Sequence, residues 1–218
     1  MPTTLIISDI HLTHYFGRRK FEFLQQLFSS VDQVILNGDF WDGYLTTFDN
    51  FMRSRWNQLF PILKSKNTIY LFGNHDAQRF SDNRFHQFCN QAKLRHQIQL
   101  GEKTLQIEHG SEIMLKEASN YNPKLLVKIV ALVINGIHWL GTRVWGTRFY
   151  RIHQVWNAQG KDWVKHNLAN REIIVTGHSH CAEFAPEEQF INSGCVQYGF
   201  AQYLLIKDGS IELKEEQY

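Results

Sequence analysis

The segment Ile-Tyr-Leu-Phe-Gly-Asn-His-Asp at residues 69–76 contains the pattern that decides the fold. Four apolar residues form a short run typical of a buried strand, and a glycine then opens a polar cluster. An apolar run followed by a polar cluster occurs at four other places. The apolar runs are Leu5–Ile7, Val34–Leu36, Leu105–Ile107 and Ile173–Val175, and the polar clusters are Asp9-Ile10-His11, Gly38-Asp39-Phe40-Trp41-Asp42, His109-Gly110 and Gly177-His178-Ser179-His180.

Helical spacing between the early runs predicts an α/β protein. Phe21, Leu24 and Leu27 recur every three residues, and a longer repeat of the same kind extends from Phe48 to Phe60. Near the end of the chain, apolar runs on either side of Asp208-Gly209 predict two strands joined by a hairpin turn.

Residues from about 112 to 170 have helical patterning and almost no strand signal. We therefore predict a single domain over residues 1–218 with a helical insertion at about 112–170. Some polar residues of the insertion recur at steps of four and three, which places them in one stripe of an otherwise apolar helix. They are Lys124, Lys128, Asn135, His138 and Thr142.

The composition excludes a disordered or a fibrous protein. Hydrophobic residues at 43% and charged residues at 20% are typical of a globular protein, and a net charge of +2 gives no case for nucleic acid. Three scattered cysteines and the absence of a basic, apolar leader predict a cytoplasmic location.

The five polar clusters are expected to meet, because loops at the carboxyl ends of strands gather in one crevice of an α/β sheet. If their segments are extended, Asp9 with His11, and His178 with His180, point in pairs to the same side. Mixed carboxylate and imidazole ligands suit Mn, Fe, Zn or a related divalent ion such as Ni or Co. The sequence therefore predicts a metal site.

In order and content, these clusters resemble the signature of the calcineurin-like metallophosphoesterases. The resemblance implies an αββα sandwich of two β-sheets flanked by helices, with two divalent metal ions, most simply Mn, at one edge. It assigns Asp9, His11 and His180 to one ion, Asn74, His109 and His178 to the other, and Asp39 to a bridging position. Two such ions, about 3.5–4 Å apart, can generate a hydroxide nucleophile and clamp the phosphoryl oxygens.

The Asn74-His75-Asp76 sequence provides the expected catalytic residues beside the metals. His75 is predicted to donate a proton to the leaving oxygen, and Asp76 is predicted to orient its imidazole. Asp42 is expected to support its neighbours and not to bind metal.

Chain size, the Gly-Asp-Phe-Trp-Asp cluster and the insertion resemble the UDP-2,3-diacylglucosamine hydrolase branch of this family, which acts in lipid A synthesis. The implied substrate is a nucleotide-lipid, hydrolysed at the inner face of the cytoplasmic membrane. The insertion would form an acyl-chain lid or a peripheral membrane contact, the alternative being a helix packed in the core. Basic residues predicted to meet phosphate groups are Lys124, Lys128, Arg143, Arg148 and Arg151.

Two other functions remain open. His75 stands where the lipid A branch commonly has Arg, which favours a broad phosphodiesterase for soluble or cyclic nucleotides. A catalytically inactive scaffold of the same fold is the third hypothesis, and the presence of every expected ligand argues against it.

Overall fold

The computed structural model describes residues 2–114 and 125–218, with the backbone alone at 125–127. The strands in chain order are β1 (Thr4–Ile7), β2 (Gln33–Asn37), β3 (Ile69–Leu71), β4 (Gln91–Lys93), β5 (Arg95–Leu100), β6 (Lys103–Glu108), β7 (Glu172–Thr176), β8 (Glu183–Ala185), β9 (Phe190–Asn192), β10 (Val196–Gln197), β11 (Phe200–Lys207) and β12 (Ser210–Gln217). The α-helices are α1 (Arg18–Ser29), α2 (Phe48–Arg53), α3 (Phe60–Ser65), α4 (Leu125–Trp145) and α5 (Gln154–Asn167). Short 3-10 helices lie at Arg55–Leu59, Gln78–Phe80, Asn83–Gln87, Gly146–His153 and Pro186–Glu188.

The strands form two mixed sheets. In the first sheet the order is β10-β11-β1-β2-β3-β4, and β12 pairs with β11. Strands β1 to β4 run parallel there, with Leu5 opposite Val34 and Ile35 opposite Ile69. The second sheet has the order β5-β6-β7-β9-β8, and β6, β7 and β9 are parallel.

Strand alternation places a core on each side of each sheet. In β1, Leu5 and Ile7 face the layer of α1, α2 and α3, whereas Ile6 faces the second sheet. Ile107 and Val175 meet Ile6 from the second sheet, and α5 covers that sheet's outer face. The predicted αββα sandwich is confirmed.

The helical repeat between Phe48 and Phe60 is divided into α2, a 3-10 helix and α3. Ser54 causes the first break, since its backbone is extended (φ −72°, ψ 165°) and its hydroxyl donates to the carbonyl of Phe51 at 2.6 Å. The apolar spacing persists because Phe51, Trp56 and Phe60 pack into the same core.

The predicted insertion contains α4, the 3-10 helix Gly146–His153 and α5. Its polar stripe faces the protein: Asn135 and His138 are half-buried and Thr142 is fully buried. Between residues 129 and 145, ten large apolar side chains of α4 are exposed, so this part of α4 is not a helix packed in the core. Lys124 lies outside the described residues. Within residues 2–114 and 125–218, no helix is long and apolar enough to cross a membrane.

Candidate metal centre

Five loops bring the seven predicted metal ligands together beyond the carboxyl ends of β1, β2, β3, β6 and β7. The loops are joined by backbone hydrogen bonds from Asp9 to the carbonyl of Gly38 (3.1 Å) and from His11 to that of Asp39 (2.9 Å). The Asp9 carboxylate also accepts the backbone N–H of His178 at 2.9 Å. Loops far apart in the sequence are therefore fixed to one another.

Asp9, His11 and His180 form the first group of ligand atoms. Asp9 Oδ1 lies 3.2 Å from His180 Nε2 and 3.7 Å from His11 Nε2, and the two imidazole nitrogens are 3.2 Å apart. All three atoms lie within 4.8 Å of one another, a spacing at which one ion can contact them all.

Asn74, His109 and His178 form the second group. The Asn74 Oδ1 atom lies 3.0 Å from His109 Nε2 and 3.0 Å from His178 Nδ1. The ring of His109 is fixed from its other side, where Nδ1 lies 3.0 Å from the backbone carbonyl of Asn37. Such support of a second ring nitrogen is usual for histidines that bind metal.

The Asp39 carboxylate lies between the two groups. Its Oδ2 atom is 3.6 Å from His11 Nε2 in the first group and 3.3 Å from His109 Nε2 in the second. Asp39 thus occupies the position required of a bridging ligand. The assignment of all seven residues as ligands stays a prediction.

The backbone of these loops differs from the expected extended form. Five of the predicted ligands have φ between 49° and 64°, in the left-handed region that non-glycine residues seldom adopt: Asp9, His11, Asp39, His178 and His180. Asp9 and His11, and likewise His178 and His180, are therefore not paired by an extended backbone, and that prediction is wrong. Strained backbone of this kind persists where the surrounding structure imposes it, and it is concentrated at functional sites.

Two glycines let the loops approach the carboxylates closely. A Cβ atom on Gly73 would overlap the carboxylate of Asp39, and one on Gly177 would overlap that of Asp9. The glycines after β3 and β7 are thus required by the site itself.

Buried charge sets the protonation of the centre. Burial disfavours the charged forms of Asp9 and Asp39, but neighbouring imidazoles outweigh it and lower the pKa of both carboxyls. Burial likewise opposes protonation of His11 and His109, yet the carboxylates around them raise the pKa of each imidazole to about 10. The carboxylates thus favour the protonated form of both imidazoles.

The donor set fits divalent cations. Asp9 Oδ1 is buried without a hydrogen-bond partner, although two imidazole nitrogens lie within 3.7 Å of it. A buried carboxylate oxygen normally has a partner, and a metal ion bound by Asp9, His11 and His180 would provide one.

His75 lies at the mouth of the centre, with its side chain 21% exposed. Its Nδ1 atom is 3.1 Å from Asp42 Oδ1, and its backbone N–H donates to Asp39 Oδ1 at 2.9 Å. Burial opposes protonation of the ring, but Asp42 and Asp39 outweigh it and raise the pKa of His75. Possible ligand atoms of His75, His11 and Asp39, one from each residue, lie within 4.8 Å of one another. The position of His75 is therefore suitable for contact with a metal or a substrate.

Asp76 does not orient His75, and that prediction is wrong. The buried carboxylate of Asp76 accepts the backbone N–H groups of Asp39 (3.0 Å), Phe40 (2.7 Å) and Gly73 (2.7 Å). It therefore fixes two metal loops to each other. Burial and the negative charge of Asp39 raise the pKa of Asp76 to about 6.

Asp42 holds His75 instead. One carboxylate oxygen of Asp42 faces His75, and the other lies 3.6 Å from Nδ1 of His11. A sequence signal for this role was present. Asp42 is the second Asp of the Gly-Asp-x-x-Asp pattern and follows the predicted bridging residue Asp39 by three positions.

The insertion contributes side chains that sequence reasoning did not assign to the site. The ring centroids of His138 and His180 are 5.9 Å apart. His153 stacks on Trp156, with ring centroids 4.3 Å apart. Trp156 in turn stacks on His178, with ring centroids 5.9 Å apart. The insertion therefore packs directly on a histidine of each ligand group.

The three arginines among the predicted phosphate-binding residues lie on the outside of the insertion. Arg143, Arg148 and Arg151 are exposed and Lys128 is half-buried. None of these four side chains forms an ion pair within the described part of the chain. Their contact with substrate phosphate stays a prediction, and Lys124 cannot be placed because it lies outside the described residues.

A family model, calcineurin-like phosphoesterase, matches residues 2–182, a range that includes all five loops and both ligand groups. The chain belongs to this family. It is accordingly a metal-dependent phosphoesterase, and the Asp and His residues of its centre could bind the divalent metals that the family uses.

One solved structure with the same fold, and two others with lower scores, are similar to this chain. Thermotoga maritima protein TM1076 is 16% identical, with full coverage of both chains and a TM-score of 0.51. The phosphoesterase YfcE from E. coli is 15% identical over 94% of this chain and 88% of its own, with a TM-score of 0.48. Vacuolar protein sorting 29 from Cryptosporidium parvum is 14% identical over 99% and 97%, with a TM-score of 0.45. No curated protein matches the chain.

In the chemistry of the family, each predicted site residue would have a particular role. Two divalent ions held by the two groups would activate a water molecule as nucleophile and neutralise charge on the phosphoryl oxygens. The residues Asp9, Asp39 and Asn74 place oxygen ligands between the histidines. His75, held by Asp42, can donate a proton to a leaving oxygen at the mouth of the site.

Proposed function

We propose that this phosphoesterase hydrolyses a phosphoanhydride or phosphodiester in an amphiphilic nucleotide-lipid, with UDP-2,3-diacylglucosamine as the specific candidate. The observation that carries the proposal is the orientation of α4. Its polar stripe faces the protein and places His138 against the predicted ligand His180, while ten large apolar side chains between residues 129 and 145 face solvent. One helix therefore joins a phosphate-hydrolysing site to an apolar surface.

Three contacts fix this orientation. Tyr198 donates its hydroxyl to Asn135 Oδ1 at 2.6 Å, and the hydroxyl of Thr142 lies 3.3 Å from that of Tyr150. His138, between Asn135 and Thr142 along the stripe, packs its ring against Tyr150 and His180. Each contact would be lost if α4 turned its apolar face inward.

Close packing of the next segment supports the same arrangement. A Cβ atom on Gly141 would overlap the ring of Phe149, so the glycine lets the 3-10 helix lie directly against α4. The exposed apolar side chains are thus part of an ordered structure beside the site, where the acyl portion of a substrate can remain while its phosphate reaches the metals.

We further propose that the two ions are manganese, with Fe, Zn, Ni or Co as alternatives, because Asp, His and Asn ligands accept all of these. The protein would act in the cytoplasm, at the inner face of the membrane that contains its lipid substrate.

The deciding experiment compares hydrolysis of three substrates with added Mn²⁺: UDP-2,3-diacylglucosamine in detergent micelles, bis(p-nitrophenyl) phosphate and a cyclic nucleotide. We expect kcat/KM for the lipid to exceed that for either soluble diester by at least 100-fold. The Asp39→Ala variant provides the background rate. Equal or greater activity on the soluble diesters would reject the lipid substrate.

A broad phosphodiesterase for soluble nucleotides is the second candidate. It is favoured by His75, whose half-buried imidazole beside Asp42 at the mouth of the site would provide a general acid that needs no contact with a lipid. This function predicts turnover of the cyclic nucleotide and the diester with no preference for an acylated substrate. Failure of all three substrates with both metal sites filled would favour the inactive scaffold.

A further inference from the structure

The exposed apolar side chains of this protein are concentrated in the insertion. Among the described residues, fifteen large apolar side chains are exposed, and twelve of them lie between residues 129 and 155. Ten belong to α4, each 46–62% exposed: Ile129, Val130, Leu132, Val133, Ile134, Ile137, Trp139, Leu140, Val144 and Trp145. Apolar surface in one contiguous patch of this kind marks a site of interaction with a protein or a membrane.

In an ordinary surface helix the apolar face packs on the protein. In α4 the polar stripe faces the protein instead, and most of the exposed side chains are apolar. At 100° per residue, Val133, Ile137, Leu140 and Val144 lie opposite the polar stripe that faces the protein. We name these four residues the outer face. Since the stripe is held by Tyr198, Tyr150 and His180, the outer face cannot turn inward without breaking those contacts.

The charge of the insertion restricts what can cover this face. Residues 118–161 contain six Lys and Arg residues and no Asp or Glu, whereas the other residues of the chain contain 17 Lys and Arg against 21 Asp and Glu. Lys161 pairs with Glu183 and Glu188. Arg143, Arg148 and Arg151 are exposed and have no ion-pair partner within the described part of the chain.

We propose that the outer face of α4 docks on an anionic lipid bilayer, with the apolar side chains in the boundary between headgroups and acyl chains and the three arginines on lipid phosphates. An apolar helix surface flanked by unpaired basic residues, with Trp139 and Trp145 exposed on the same helix, has the features of an interfacial helix. This inference deepens the proposed function and rests on it for its purpose, because docking would bring the metal centre to a membrane-resident substrate.

Self-association through the same face is disfavoured by charge. Two copies that met along α4 would bring two sets of unpaired arginines together, with no acidic residue in residues 118–161 to offset them. An anionic bilayer instead supplies the opposite charge.

The test is sedimentation of the full chain with lipid vesicles, without substrate. Vesicles of phosphatidylcholine with about one-third phosphatidylglycerol should bind the protein at least tenfold more tightly than pure phosphatidylcholine, and high salt should reduce this preference. Replacing three outer-face residues together, Ile137→Gln, Leu140→Gln and Val144→Gln, should reduce the affinity at least tenfold, because glutamine preserves helix propensity and removes apolar area.

Leu94→Gln is the matched control, since Leu94 is 63% exposed and lies outside the insertion. It should bind vesicles as the unaltered chain does, and circular dichroism should show that both variants are folded. The combined Arg143→Gln, Arg148→Gln and Arg151→Gln variant should lose the preference for anionic vesicles.

Two results would overturn the proposal. The first is vesicle binding that does not depend on the outer face. In that case the outer-face variant and the Leu94→Gln control bind equally, or neither they nor the unaltered chain bind vesicles. The second is a dimer in sedimentation velocity that the outer-face variant converts to a monomer, which would assign the face to a second copy. Either result, combined with hydrolysis of the nucleotide-lipid in detergent micelles, would reject membrane docking and leave the proposed function intact.

Discussion

Asp42 holds His75 by a contact of 3.1 Å between its Oδ1 atom and the Nδ1 atom of the imidazole. The other carboxylate oxygen of Asp42 lies 3.6 Å from Nδ1 of the predicted metal ligand His11. One buried carboxylate thus links the expected proton donor to the metal centre. Its negative charge also helps to raise the pKa of His75.

Asp42→Asn should lower kcat by about 10- to 100-fold with little change in KM, because His75 loses the charge that orients it and favours its protonated form. Activity that requires protonated His75 falls as pH rises through its pKa. Since the variant lowers that pKa, the alkaline limb of the pH–kcat profile should move to lower pH.

The control for this change is Asp208→Asn, in an exposed turn where asparagine tolerates the positive φ of 51°. If Asp42 acts through His75, the Asp42→Asn and His75→Ala effects on kcat should be far from additive. Full additivity would show that the two residues act independently.

His75→Ala should reduce turnover by roughly 100- to 10,000-fold while both metals remain bound, as expected on loss of a general acid. Asp39→Ala should remove both activity and metal, because the Asp39 carboxylate lies between the two ligand groups. Metal content after dialysis, measured by mass spectrometry, distinguishes the two variants. Loss of metal from His75→Ala would identify His75 as a ligand, which its position near His11 and Asp39 also permits.

Metal affinity should rise with pH between about 6.5 and 10. In the metal-free protein, carboxylates raise the pKa of His11 and His109 to about 10, so both imidazoles are protonated at neutral pH and must release those protons on binding metal. Each proton released increases the affinity by up to about tenfold per pH unit.

Titration calorimetry in two buffers of different ionisation enthalpy measures the number of protons released. We expect about two per protein at pH 7.5 and progressively fewer near pH 10. Proton uptake, or an affinity independent of pH over this range, would contradict the protonation of these histidines.

Asp76→Ala should destabilise the protein by about 3 kcal/mol or more, because three buried backbone N–H groups lose their acceptor. The midpoint of chemical denaturation, measured on the metal-free chain, reports this change without reference to catalysis. Asp82→Ala is a suitable comparison, since Asp82 is an exposed carboxylate that also accepts a backbone N–H. Unchanged stability together with lost turnover would restore a direct catalytic role to Asp76.

The sequence by itself determined the α/β class and the five polar clusters from which the candidate ligands come, and the family resemblance added the αββα sandwich and the assignment of each ligand. Apolar runs followed by polar clusters identify strands and the loops at their ends, and parallel strands place those loops at one edge. These features are local, or follow from general rules of topology, so they can be read along the chain. The helical patterning of the insertion is local in the same sense.

Only the tertiary structure decided which carboxylate holds His75. Asp76 is adjacent to His75 in sequence, but the left-handed backbone at Asp39 and the close approach at Gly73 direct Asp76 toward three backbone N–H groups and bring Asp42 to the imidazole. The sequence around His75 therefore does not predict that Asp42, and not Asp76, contacts the imidazole.

The orientation of α4 was decided in the same way. Its periodic pattern defines a polar stripe and an apolar face, yet a pattern alone does not state which one meets the protein. The stripe faces inward because Tyr198, Tyr150 and His180 lie where Asn135, Thr142 and His138 can contact them. Those partners come from segments distant in the sequence, so their contacts exist only in the folded chain.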